Sequence, residues 1–208
     1  MLYRYLLVTR FTLVNLVAIG LLAACYFQGW LDGMMSAHLV ELSYFIFAVF
    51  LYGLGVCGIK VWRQSVDLND LKAGMPRPDS RAGRFLAQSA GAGPESRTIQ
   101  VDALRLKLTD GIVDVRHVAN SLVLLGLIGT VIGFIIALSG VDPDSAKNAD
   151  NVATMVSTLI NGMSVALYTT LVGAVLHIWL IVNYRILTSG TVDMIAEIIR
   201  LSESRARA

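Results

Sequence analysis

Four apolar stretches without a single Asp, Glu, Lys or Arg constrain this chain more than any other feature. They run Phe11–Leu31, Leu42–Ile59, about Val118–Gly140 and about Thr158–Val182. A helix of roughly 20 apolar residues covers the ~30 Å hydrocarbon core of a bilayer. The residues are 55% apolar and mean hydropathy is +0.65, values that exclude an ordinary water-soluble domain. The expectation is therefore an all-α polytopic membrane protein with four transmembrane helices.

The charges orient it. Of the 17 Lys and Arg residues, all but Lys147 precede the first span, lie between the second and third, or follow the fourth. The connections on the opposite side carry Asp32, Asp142, Asp144 and Asp150. Positive residues stay on the cytoplasmic side, which predicts both termini inside. Such a basic surface sets orientation and favours anionic lipid, not nucleic acid. Cys25 and Cys57 fall inside spans and suggest neither a disulfide nor a metal site. Leu22-Ala23-Ala24-Cys25 has the form of a lipoprotein cleavage box, but Cys25 is expected to be a small apolar residue of an uncleaved span.

The chain divides into a first span (1–31), an outer loop and second span (32–62), a cytoplasmic loop with short helices (63–95), a core of the last two spans (96–185) and a cytoplasmic C-terminal helix (186–208). Met75-Pro76-Arg77-Pro78 and Gly91-Ala92-Gly93-Pro94 break the loop, leaving one short helix over Ser80–Ala90. Arg77, Arg81 and Arg84 there read as a solvated face. Asp142-Pro143-Asp144 reads as a tight turn. No proline interrupts Ser96–Gly140 or Ala149–Arg207, so the last two spans continue as long helices into the cytoplasm, with Gly111 a weak point.

The third span carries Gly126, Gly129 and Gly133, a groove where a second helix can come close. Thr130 sets a hydroxyl in or beside it. The fourth carries Gly162 and Gly173 with Asn161, Ser164, Tyr168, Thr169 and Thr170. Helix-to-helix hydrogen bonding and the lining of an ion path both suit such residues. Intramembrane carboxylates and amines mark ion paths and proton relays, and these spans have none. The chain thus cannot relay protons through an acid of its own. His117 and His177 permit a b-type haem reading geometrically, making an electron carrier one alternative; a non-conducting scaffold is another.

Val118-Ala119-Asn120-Ser121 followed by Leu125-Gly126-Leu127-Ile128-Gly129-Thr130-Val131-Ile132-Gly133 is similar to the penultimate-span motif of the MotA/TolQ/ExbB proton-channel family. Gly162-Met163-Ser164-Val165-Ala166-Leu167-Tyr168-Thr169-Thr170-Leu171-Val172-Gly173 resembles its last-span motif, closed by Asn183-Tyr184. The resemblance implies a ring-forming homo-oligomer, typically a pentamer, around a dimer of a single-span MotB/ExbD/TolR-like partner in a bacterial inner membrane. It implies no cofactor, no metal and no enzymatic reaction. It places Thr130 and Thr170 opposite a proton-binding aspartate of the partner, with Asn161, Ser164, Tyr168 and Thr169 as candidate lining. Ion flow, with the proton as default, would then drive rotation. Val123 and Trp179 replace family prolines, and Val165 replaces the glutamate of the ExbB and TolQ branches. Four spans and Thr169-Thr170 look closer to the MotA branch, although residues 60–116 are shorter than a flagellar stator's loop.

Overall fold

The computed structural model describes residues 6–28, 40–73, 77–78, 80–89, 94–141 and 149–207. Among these the fold is all-helical and contains no strand. Five helices follow in order: α1 (Leu6–Phe27), α2 (Val40–Lys72), α3 (Arg81–Ser89), α4 (Pro94–Ser139) and α5 (Ala149–Arg207). All but α3 are long and apolar enough to cross a membrane. The protein is a multi-pass membrane protein. With 46 and 59 residues, α4 and α5 extend for about 70 and 90 Å, at least twice the hydrocarbon thickness.

Two compact units divide the chain. One contains residues 1–17, 54–116 and 182–208, and the other residues 18–53 and 117–181. Among the described residues, every Lys and Arg lies in the first.

In the charged unit, Leu68 and Leu71 of α2, Ala82, Phe85 and Leu86 of α3, Leu108 of α4, and Met194 and Ile198 of α5 form a buried cluster. Ser80 caps α3: its Oγ accepts from Gly83 N at 2.9 Å and donates to the Arg77 carbonyl at 2.7 Å. Serine suits that position because it satisfies a backbone N–H that the first helical turn leaves free. Arg77 in turn reaches Asp70 at 2.6 Å and Asp67 at 3.5 Å, across the break between α2 and α3. Arg77 is thus ion-paired while staying exposed, and Arg84 is exposed as well, as expected of a solvated face.

One boundary differs from expectation. The sequence reading began the loop at residue 63, yet α2 continues unbroken to Lys72. Neither proline nor glycine lies between Ile59 and Ala73, and Val61, Ser65, Leu68 and Leu71 bury one continuous helical face. As expected, α4 runs unbroken through Gly111, with Leu108, Ile112 and Val115 buried on either side. The expected turn at Asp142–Asp144, together with Lys147 and Asp32, lies outside the described residues.

Candidate functional site

In the apolar unit, α4 and α5 run antiparallel at very close range. Packing distances follow from which residues lack a side chain. A Cβ at Gly126 would lie 3.2 Å from the Thr169 carbonyl oxygen and 3.4 Å from Gly173 Cα. One at Gly133 would lie 2.5 Å from Ala166 N and 2.7 Å from the Gly162 carbonyl oxygen. From the other helix, a Cβ at Gly173 would meet the Leu122 carbonyl oxygen at 2.7 Å, and one at Gly162 would meet Ala137 Cα at 2.6 Å. Backbone, which cannot rotate away, forms these walls. The ladder ends at Gly140, whose missing Cβ leaves room for the Thr158 side chain. Spaced three and four apart on both helices, the small residues make one continuous seam.

Thr169 sits inside that seam. It is fully buried beside Gly129, and its hydroxyl donates to its own helix at Val165 O (2.9 Å) and Ala166 O (3.1 Å). Thr170, one residue on, lies outside the seam and is exposed. Its hydroxyl is 3.2 Å from the Ala166 carbonyl and 3.3 Å from the Gly126 carbonyl across the seam. Thr130 follows Gly126 by one turn. It is half-buried, and its Oγ1 donates to Leu127 O at 2.6 Å. The two threonines therefore occupy adjacent turns on one flank of the helix pair. Around them the surface is apolar and exposed, including Leu127, Val131, Phe134 and Met163.

Asn161, Ser164 and Tyr168 fall elsewhere. At about 100° per residue, Tyr168 is roughly 200° around α5 from Thr170. Ser164 is half-buried and donates to Ile160 O at 2.9 Å; Asn161 is exposed. The fold thus divides the sequence-derived residues: Thr130 and Thr170 on one flank, Thr169 in the seam, and Asn161, Ser164 and Tyr168 on the opposite flank.

His177 is tied to the seam as well. Its Nδ1 lies 2.7 Å from the Ala119 carbonyl, and since a carbonyl only accepts, Nδ1 carries the proton. Helix α2 packs alongside, with Phe50 against Trp179 (ring centroids 4.9 Å apart) and Gly53 against Val118 and Leu180.

Comparison with known families decides the broader identity. Residues 95–199, just over half the chain, match the model of the MotA/TolQ/ExbB proton channel family. The chain belongs to this family. Searches of the curated proteins and of the solved structures return no match. The region matched to the MotA/TolQ/ExbB family begins in α4, contains the whole seam and runs deep into α5. Members of this channel family work in membrane complexes with a MotB/ExbD/TolR-like partner.

Sequence reasoning missed two polar pairs in the charged unit. Asn15 Nδ2 of α1 donates to Asn183 Oδ1 of α5 at 2.8 Å, and also to Phe11 O at 2.8 Å. Gln64 of α2 meets the Thr191 hydroxyl of α5 at 2.7 Å, where both residues are buried. An amide within an otherwise apolar stretch is the signal that could have singled out Asn15. Nothing local in the sequence names its partner 168 residues away.

Proposed function

We propose that this protein is the ion-conducting subunit of a rotary motor, with the proton as the ion. It works as a pentameric ring around two transmembrane helices of a MotB/ExbD/TolR-like partner in a bacterial inner membrane. Both termini and the charged parts of α4 and α5 lie on the cytoplasmic side, and the arrangement is closest to the MotA branch. One observation carries the reading: Thr130 and Thr170 set hydroxyls on an apolar, open flank, and no span contains an acid.

The chemistry of a hydroxyl explains how this flank serves a carboxylate on another chain. With its proton given to Leu127 O, the Thr130 oxygen accepts a hydrogen bond and so favours a protonated, neutral acid. Rotated outward, the same hydroxyl donates and favours the ionised acid. A group able to stabilise both forms lowers the cost of taking a charge into a poorly solvated path, where unpaired charge is expensive. The seam behind the threonines holds them in register, because glycine and alanine backbones in contact leave α4 and α5 little room to shift.

Proton flux into vesicles containing the chain and its partner tests the assignment. Thr170→Val should abolish most of the flux, whereas Thr169→Val, whose hydroxyl bonds only within its own helix, should leave it near the wild-type level. Unchanged flux in Thr170→Val would remove the role assigned to this flank.

A further inference from the structure

The geometry points to a binding site for an anionic phospholipid headgroup among α1, α2 and α5 in the charged unit. A cavity of about 340 Å³ opens there, within the ~300–1,000 Å³ of small-molecule sites. Its lining has two parts. Leu7 and Val14 of α1, Leu68 of α2, and Val182 and Ile186 of α5 make an apolar wall. Arg10, Lys72 and Arg185, one from each helix, supply positive charge. All three side chains are exposed, and among the described residues none of them is ion-paired.

The cavity's lining also includes a polar side chain. Asn69, which also lines it, has its side-chain Nδ2 buried with no hydrogen-bond partner. A buried donor left unmatched is costly, so such atoms ordinarily meet a ligand or water. Asp193, also in the lining, leaves it net positive.

Position and chemistry select the occupant. Arg10 immediately precedes the apolar run beginning at Phe11, and Arg185 closely follows the one ending at Val182. Arg10 and Arg185 therefore lie at headgroup depth, where basic pockets between helices bind anionic lipid heads. A free phosphate would use the cations but has nothing to place against the apolar wall. A phospholipid uses both, its phosphate on the cations and the start of its acyl chains on Val14 and Val182. Because α1 holds part of the site, the lipid would tie the first helix to α2 and α5. The inference stands independently of ion conduction.

Thermal unfolding of the purified full chain in mild detergent tests it. Phosphatidylglycerol, phosphatidylcholine and inorganic phosphate are added at equal phosphorus concentration. Phosphatidylglycerol should raise the midpoint saturably, and the other two should not, since a ligand stabilises in proportion to its occupancy. In Arg10→Gln/Arg185→Gln, saturation should need about tenfold more phosphatidylglycerol, or the shift should vanish. Arg200→Gln, a cation outside the cavity, should respond as wild type. If the double variant does not fold, Lys72→Gln alone should weaken the response. An equal shift with inorganic phosphate would make the ligand a free anion and overturn the lipid assignment. An equal shift with phosphatidylcholine, or an unaltered response in the variants, would overturn the site itself.

Discussion

The same two helices, α4 and α5, are packed by opposite means in the two units. In the apolar unit their contact is built from Gly126, Gly129, Gly133, Gly162 and Gly173, with backbone against backbone. In the charged unit they contribute Leu108, Met194 and Ile198 to a cluster completed by Leu68, Leu71, Phe85 and Leu86. The solvent explains the difference. Where water surrounds a helix, burying large side chains drives association at about 25 cal/mol per Å². In lipid that drive is absent, and close van der Waals contact between small residues takes its place. One continuous helix can therefore carry two packing codes, each read by its surroundings.

Substitutions can break this contrast. The largest stability effect is expected at Phe85, buried in the large-residue cluster: Phe85→Ala should cost about 3–5 kcal/mol and expose α3 to proteolysis. A cluster that tolerates the change would mean α3 is held chiefly by Ser80 and Arg77. Next comes the seam, where Gly133→Val should cost about 1–3 kcal/mol by overpacking and lower the melting temperature in detergent. No change there would show that α4 and α5 have room to separate. The polar pairs should matter less. Asn15→Leu should cost about 0.6 kcal/mol, the mean for hydrogen bonds between helices in a membrane. The exposed pair Lys60–Asp114, at 2.9 Å, should be nearly silent: Asp114→Asn should shift stability by less than about 1 kcal/mol.

Much of this architecture was legible in the sequence, because bilayer thickness and helix rise convert apolar length directly into spans. The break at Met75–Pro78 and the second at Gly91–Pro94 bracket α3 in the same way. The end of α2 was harder to see. Beyond Ile59 its pattern mixes charges with Val61, Leu68 and Leu71, and only packing against α3 and α5 decides that it stays helical. The candidate site shows the same division. Glycine spacing announced a close approach but did not say that α5 of the same chain fills the groove. Thr169 and Thr170 are neighbours in sequence, yet one is enclosed and the other open, because a single residue turns a helix by about 100°. Distant partners such as Gln64 with Thr191 have no local signature at all.

The central claim is that the open threonine flank faces an acid belonging to another protein. Imaging the complex extracted with its partner tests this most directly, since it shows both the copy number and what lies against Thr130 and Thr170. The account predicts five copies enclosing two foreign helices, with an acidic side chain of one of them at the level of the two threonines. A monomer or dimer, or a closed ring with Thr130 and Thr170 turned outward to lipid, would contradict it.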